Sequence, residues 1–251
     1  MSHLIPALVL GALPVLAGQP LAYQEGPVRL AGYLARPEAM KGSVPGVLVL
    51  HQWMGLSGHE RMMADRLAGL GYVALAADIY GEGLRPSDSK EAAAAAGSFY
   101  RDRNLYRARI RAGLEALKAQ PGVDPSRLAV IGFCFGGSGA LEAARAGLPV
   151  RGVVSFHGIL TAGPGAVPPI AAKVLVCHGA DDPNVPPAQV AAFQEEMRQA
   201  KADYTFIAYG GAVHAFTQKE AGNDPAKGAA YQEAAARRSW QHMADFLAEL
   251  F

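Results

Sequence analysis

The sequence predicts a single α/β domain with a mainly parallel central sheet and helices on both faces. Short apolar runs alternate with amphipathic stretches after residue 20, which is the order of strands and helices in such folds. Several of these runs are continuously apolar, as strands buried on both faces are. No Pro/Ser-rich linker interrupts the pattern, so we assign residues 21–251 to one domain.

The predicted strands and helices follow one another along the chain. An alternating run at residues 28–35 predicts a half-buried edge strand, and a continuous run at residues 46–52 predicts a buried strand. A helical pattern at residues 59–71 separates it from the next strand, at residues 72–78. A long loop then leads into an alanine-rich helix and a basic helix. The remaining strands read "RLAVIGF", "GVVSFHG", "KVLVCHG" and "YTFIAYG", and a helical pattern closes the chain.

Residues 1–20 are set apart by the apolar run "LIPALVLGALPVLA". The run has the length of a signal peptide, but no Lys or Arg precedes it, and Pro6 and Pro14 would break a helix. It is too short to span a membrane as a helix. Two alternatives stay open: a cleaved signal with a periplasmic or secreted enzyme, or an N-terminal extension of a cytoplasmic one.

The composition excludes several functional classes. Hydrophobic residues make up 51% of the chain, charged residues 18%, and the formal net charge is +1. This balance offers no field for nucleic acid or an anionic membrane. Two cysteines are too few for a disulfide framework, and no Cys/His spacing indicates a metal site. We expect a monomer or homodimer that binds a small molecule.

The segment Gly132-Phe133-Cys134-Phe135-Gly136 lies between a predicted strand and a predicted helix. The pattern Gly-x-nucleophile-x-Gly in this context predicts a nucleophile elbow, a sharp turn that exposes its central side chain. The start of a helix also favours a thiolate. The alternative is that Cys134 is a small buried residue where glycines allow close packing.

Two later segments provide partners for this thiol. "ADDPNVP" follows the strand "KVLVCHG", and "GAVHAF" follows "YTFIAYG", so that an acid and then His214 come after later parallel strands. Nucleophile, acid and base in this order are typical of the α/β-hydrolase fold. The acid is Asp181 or Asp182.

The segments "GFCFGG", "HGADDPNVP" and "GGAVHAF" resemble the nucleophile, acid and histidine segments of the dienelactone hydrolases, and residues 51–81 are similar to that family's stretch around its third strand. The resemblance implies a Cys-His-Asp triad, hydrolysis through a thioester, and no metal or cofactor. It selects Asp182 as the acid, because the family's acid precedes a Val-Pro pair by three residues; Asp181 is the alternative. It also implies an oxyanion hole made by the backbone N–H groups of Trp53 and Phe135.

Two departures from the family pattern affect the predicted chemistry. Gln52 stands where dienelactone hydrolases proper have a glutamate that contacts the resting thiol, so His214 must activate Cys134 alone. Gln218 stands where the family has an arginine that helps to clamp a substrate carboxylate. We therefore expect small neutral carboxylic esters or lactones as substrates. Alternatives are a promiscuous hydrolase that also cleaves activated phosphotriesters, and a thiol sensor without turnover.

Several residues near the predicted site are candidates for substrate binding. Met54, Tyr80 and Phe216 could line an apolar pocket, although aromatic and apolar side chains serve equally well in a core. Arg85, in the long loop, is a weaker candidate. Three histidines that follow strand ends are expected to be hydrogen-bonded structural residues: His51, His157 and His178.

Overall fold

The computed structural model describes residues 15–163, 165 and 168–251, and the side chains from residue 18 onward within these ranges. Eight strands form one sheet: β1 (Val15–Glu25), β2 (Val28–Pro37), β3 (Val44–Leu50), β4 (Val73–Ala77), β5 (Val123–Phe133), β6 (Gly152–Phe156), β7 (Lys173–Gly179) and β8 (Tyr204–Tyr209). Their order in the sheet is β1-β2-β4-β3-β5-β6-β7-β8. All pairs from β4 to β8 are parallel, whereas β2 pairs antiparallel with both β1 and β4. The predicted mainly parallel sheet is confirmed.

Six α-helices cover the sheet: α1 (Gly58–Gly69), α2 (Ser89–Arg101), α3 (Arg103–Lys118), α4 (Phe135–Arg145), α5 (Pro187–Gln199) and α6 (Glu233–Leu250). Two short 3₁₀ turns, Lys219–Ala221 and Pro225–Lys227, lie between β8 and α6. The start of α1 is fixed by a capping box, in which Ser57 and Glu60 satisfy each other's backbone N–H groups.

The hydrophobic core lies on both faces of the sheet, because successive side chains of a buried strand point to opposite sides. Leu48 and Leu50 of β3 pack on the face covered by α2, α3, α4 and α5. Val47 and Val49 of the same strand pack on the face covered by α1 and α6. All four are fully buried, and burying each such side chain contributes about 1.5–3 kcal/mol.

The prediction that residues 28–35 form an edge strand is wrong. These residues belong to β2, which has β1 on one side and β4 on the other. β1 forms the edge and starts at Val15, so the predicted boundary at residue 20 falls inside this strand. Residues 1–14, and with them most of the possible signal peptide, lie outside the described residues, and the division into segment and domain stays a prediction.

The carboxyl ends of the parallel strands share one edge of the sheet, and this edge positions the candidate site. The loops after β5, β7 and β8 emerge here. The loops after β3 and β4 emerge at the same edge and lie beside them. Among the described residues, no helix is long and apolar enough to cross a membrane.

Candidate active site

Cys134 occupies a strained turn between β5 and α4. Its backbone angles, φ 54° and ψ −114°, lie outside the regions that L-residues favour. A Cβ on Gly132 would collide with the carbonyl of Gly136, and a Cβ on Gly136 would collide with the carbonyl of Leu50. Such strain costs on the order of 1–3 kcal/mol and persists only where the surrounding structure enforces it. The elbow therefore needs both glycines, and it presents a half-buried thiol at the start of a helix.

Three side chains from three loops form one hydrogen-bonded chain. The Sγ atom of Cys134 lies 3.1 Å from Nε2 of His214, and Nδ1 of His214 lies 2.8 Å from Oδ2 of Asp182. The other oxygen of Asp182 accepts the N–H of Asn184 at 2.8 Å, which fixes the carboxylate in its loop. Asp181, the alternative acid, is exposed and makes no hydrogen bond to His214.

The surroundings of His214 favour its charged form. Burial opposes the charge, but the hydrogen bonds that His214 makes to Asp182 and Cys134, together with the charges of both, outweigh burial and raise the pKa of His214 to about 10. Asp182 is itself buried. A histidine that is hydrogen-bonded to both a cysteine and a carboxylate is placed to accept the proton of the thiol and to hold the resulting charge.

The backbone at both predicted oxyanion residues is held by tyrosines. The hydroxyl of Tyr80 donates to the carbonyl of Trp53 at 2.8 Å, and the buried hydroxyl of Tyr106 donates to the carbonyl of Phe135 at 2.7 Å. Within the described part of the chain, the N–H groups of Trp53 and Phe135 donate no hydrogen bond. Two such free N–H groups near a nucleophile are what an oxyanion requires.

Comparison with known proteins identifies the family. Residues 30–251 match the dienelactone hydrolase family. The chain belongs to the dienelactone hydrolase family. The resemblance found in the sequence is thereby confirmed, and so is the α/β-hydrolase fold. The enzyme is a hydrolase of esters or lactones.

Solved structures and a curated relative agree with this assignment. A dienelactone hydrolase-like promiscuous phosphotriesterase from metagenomic libraries is 40% identical, with a TM-score of 0.88 over 96% of this chain and 100% of that chain. A second structure, m3DLH, is 40% identical, with a TM-score of 0.90 over 94% of this chain and 99% of that one. A probable 2-oxo-3-(5-oxofuran-2-ylidene)propanoate lactonase of Bradyrhizobium sp. is 32% identical over 88% of this chain and 90% of its own length.

Gln52 of this dienelactone hydrolase family member points its amide at a buried carboxylate. Its Nε2 donates to Oε1 of Glu60 at 3.3 Å, and its backbone N–H reaches the same oxygen at 3.4 Å. The other oxygen of Glu60 accepts from the N–H and the hydroxyl of Ser57. Glu60 is fully buried and is a partner that the sequence did not indicate.

The predicted substrate-binding residues fall into different environments. Met54 exposes 38% of its surface, and Tyr80 is nearly buried, with its ring against His51 and Phe135. Phe216 is fully buried, and its ring packs against His157 and Tyr209. Gln218 is half-buried, and its backbone N–H donates to the carbonyl of Ala215. The sequence named all four as candidates for substrate binding, with core packing as the alternative for the apolar and aromatic ones; the structure places Tyr80 and Phe216 in the hydrophobic core.

The guanidinium of Arg85 is bound within its own loop. It donates to the carbonyls of Gly81 and Leu84 at 3.1 and 2.8 Å, and it forms a 3.4 Å ion pair with the buried carboxylate of Asp78. In this conformation Arg85 therefore stabilises its own loop and ties it to Asp78, directly after β4.

Two further residues lie beside the hydrolase's thiol: Tyr100, which sequence reasoning missed, and His157, which it named only as a hydrogen-bonded structural histidine. Tyr100 of α2 hydrogen-bonds the hydroxyl of Ser138 at 3.3 Å, and burial together with the charge of Cys134 raises its pKa. His157 accepts the backbone N–H of Cys134. The position of His157 at the end of a strand was the only signal in the sequence, and Tyr100 had none.

The other strand-end histidines have different surroundings. His51 accepts the N–H of Ile79 and contacts the carbonyl of Gln52, as expected for a structural histidine. Nδ1 of His178, by contrast, has no partner among the described residues. The described part of the chain contains no cluster of three His, Cys, Asp or Glu residues suited to a metal ion.

Proposed function

We propose that the enzyme hydrolyses small, uncharged carboxylic esters or lactones through an acyl-cysteine intermediate on Cys134. The observation that carries the proposal is the hydrogen-bonded chain from Sγ of Cys134 through His214 to Asp182, at 3.1 and 2.8 Å. Nucleophile and base lie within hydrogen-bond reach, and a third group orients the base.

In the first half-reaction the thiolate of Cys134 attacks the acyl carbon and forms a C–S bond. The carbonyl electron pair moves to oxygen, and the N–H groups of Trp53 and Phe135 stabilise that oxyanion. Losing one such donor typically costs about 2.7–4 kcal/mol of transition-state stabilisation. When the tetrahedral intermediate collapses, the C–O bond breaks, and the leaving alkoxide takes the proton of His214.

In the second half-reaction water cleaves the thioester. Neutral His214 accepts a proton from water as the oxygen attacks the acyl carbon, and the second tetrahedral intermediate expels the thiolate. The carboxylic acid leaves, and the proton that His214 took from water stays on its ring, so the imidazolium beside Asp182 is restored. A lactone follows the same steps, except that its alcohol remains attached to the acyl group.

The preference for uncharged substrates rests on the two positions that could have bound a substrate carboxylate, 85 and 218. Arg85 is engaged by Asp78 and by two carbonyls, and position 218 carries a glutamine. Three exposed apolar side chains lie on the loops after β3 and β4 instead: Trp53, Met54 and Leu84. Such a rim favours apolar acyl or alcohol groups.

Release of p-nitrophenolate from p-nitrophenyl acetate tests the proposal, with Cys134→Ala as the comparison. A burst followed by steady turnover, both lost in Cys134→Ala, is the expected result. One equivalent of product without further turnover would instead indicate a thiol sensor and would contradict the proposed deacylation. Cys177→Ala is the matched control, because that cysteine is fully buried and burial raises its pKa to about 12.

A second candidate activity is the cleavage of activated phosphotriesters. It is favoured by the 40% identical structure described as a promiscuous phosphotriesterase. Here the thiolate attacks phosphorus, an aryl oxide leaves, and water hydrolyses the S–P bond. Turnover of an aryl phosphotriester above the Cys134→Ala rate supports this activity, and equal rates would exclude it.

A further inference from the structure

His157 lies under the nucleophile, at the end of β6, and is almost completely buried. Nδ1 of His157 lies 3.1 Å from the backbone nitrogen of Cys134. Nε2 lies 2.8 Å from Oγ1 of Thr217, which belongs to the loop that carries His214. One imidazole thus joins the elbow of the nucleophile to the loop of the base.

The partners of His157 determine which nitrogen carries its proton. A backbone N–H can only donate, so Nδ1 of His157 must be the acceptor. The proton of the neutral ring is then on Nε2, which donates to Thr217. Burial, together with the nearby His214, lowers the pKa of His157 well below its usual value. A neutral ring also adds no charge beside the imidazolium of His214, whose ring centre is 5.2 Å away.

The backbone conformation of Cys134 and His157 indicates that His157 has a specific role and does not only fill space. Cys134 has a positive φ of 54°, and its N–H is shared between Nδ1 of His157 and the carbonyl of Phe156. His157 itself has a positive φ of 40°. These two strained residues are neighbours in space and are hydrogen-bonded to each other, which indicates a conformation that is held for function.

We infer that His157 is a positioning residue: it accepts the N–H of Cys134 and binds Thr217, and so holds the thiol at the correct distance from His214. The inference rests on the proposed function, since it concerns the same thiol. It adds a fourth side chain, which acts through the backbone of the nucleophile and does not touch the substrate. Engaging the N–H of Cys134 also keeps that donor out of the oxyanion hole and leaves the N–H of Phe135 there.

Two substitutions separate the two hydrogen bonds of His157. In His157→Asn the side-chain oxygen takes the place of Nδ1, so the bond from Cys134 is kept and the bond to Thr217 is lost. In His157→Gln the longer side chain reaches Thr217 and leaves the N–H of Cys134 with Phe156 alone. Two readouts are measured at one pH: the rate of Cys134 alkylation by iodoacetamide, located by mass spectrometry, and kcat and KM for p-nitrophenyl acetate.

We expect His157→Gln to lower kcat and the alkylation rate about tenfold, the loss typical of one hydrogen bond. We expect His157→Asn to lose about threefold in kcat and alkylation rate, because only its bond to Thr217 is gone, and KM to change less than about twofold in both variants. Equal losses in the two variants, or a wild-type alkylation rate in folded His157→Gln, would overturn the inference. If His157→Gln does not fold, Thr217→Val decides: an unchanged alkylation rate overturns the inference, and about a threefold loss supports it.

The two proposals fail in different ways. If the wild-type enzyme hydrolyses no ester, the proposed function fails, while alkylation still reports the position of the thiol. If the wild type turns over and the Asn and Gln variants behave alike, only the role of His157 fails.

Discussion

Two regions meet at the carboxyl edge of the sheet and are held in different ways. Cys134, Asp182 and His214 follow three parallel strands and are joined by hydrogen bonds of 2.8 and 3.1 Å. Trp53 and Met54 lie on the loop after β3 and expose 39% and 38% of their surfaces. Here the backbone is fixed, as in the bond from Tyr80 to the carbonyl of Trp53, whereas the side chains are free.

We propose that reaction type and substrate choice reside in different parts of this site. Strand ends and glycine contacts fix the proposed triad, so we expect a substitution there to change the rate of the chemical steps. The exposed rim contacts little of the protein, so we expect a substitution there to change which ester binds. Substitutions in the two regions should therefore separate residues that act on the chemical steps from residues that act on substrate binding.

The largest effect is expected from Asp182→Asn. An amide can hold His214 in the wrong tautomer, and comparable changes in serine triads lower kcat about 10⁴-fold. Loss of the carboxylate also lowers the pKa of His214 from its value of about 10. The measurement is kcat for p-nitrophenyl acetate, and Asp181→Asn is the matched control, expected to stay within about twofold because that side chain is exposed.

The same pKa gives a pH signature. Because the pKa of His214 is raised to about 10, we expect its ring in the wild type to keep its proton between about pH 6.5 and 9 when it is titrated by NMR. In Asp182→Asn the ring should lose its proton at a lower pH. A wild-type ring that loses its proton near pH 6.5, as an ordinary histidine does, would contradict the stabilised imidazolium.

Phe216→Ala tests whether Phe216 is a core residue or a residue that contacts the substrate. The ring is fully buried against His157 and Tyr209, so we expect a loss of about 3–5 kcal/mol in the free energy of unfolding. Urea denaturation measures it, with Phe216→Leu as a milder control. A stability loss below about 1 kcal/mol with a raised KM would instead make Phe216 part of the substrate rim.

Gln52→Glu restores the glutamate that the family has at this position, and it tests how a carboxyl there interacts with buried Glu60. The new carboxyl would lie about one hydrogen bond from Glu60, and two such charges cannot both ionise freely. The folded-state pKa of the introduced carboxyl is therefore raised above its usual value of about 4.3. Stability relative to wild type should fall as pH rises past that value, by about 1.4 kcal/mol for each pH unit until the folded-state pKa is reached.

Chemical denaturation at pH 5 and pH 8 measures this effect, and uncharged Gln52→Met controls for the lost amide. A difference from wild type that is the same at both pH values would show that the introduced carboxyl does not sense Glu60.

Trp53→Ala should have the smallest effect, and it should act on binding. Its backbone N–H remains, while the exposed indole is lost, so we expect KM for p-nitrophenyl butyrate to rise about fivefold, with kcat within about twofold. Met62→Ala is the control, since Met62 is exposed on α1. A kcat loss of about 100-fold would show that the side chain of Trp53 takes part in the chemical steps and not only in substrate binding.

Much of the fold was predictable because buried parallel strands produce continuous apolar runs. β3, β4 and the strands from β5 to β8 all coincide with such runs. β1 was missed because its residues include Gly18 and Pro20 and overlap the run that resembles a signal peptide. Without β1, the alternating run of β2 was assigned to the edge of the sheet.

The segments of the proposed triad were recognisable because each follows a strand directly and carries a local motif. The contacts around them were not, because they join residues of different loops and helices that no local motif connects. Glu60 lies 8 residues from Gln52, and His157 lies 60 residues from Thr217. The engagement of Arg85 by Asp78 likewise depends on how one loop folds back, which composition does not record.

The most direct test of the account is to find the acyl group during turnover. The enzyme is mixed with p-nitrophenyl acetate, quenched with acid within the burst, digested and examined by mass spectrometry. We expect one acetyl group on the peptide that contains Cys134 during turnover, and none after the substrate is exhausted. An unmodified Cys134 during a burst, or an acetyl group on another residue, would contradict it.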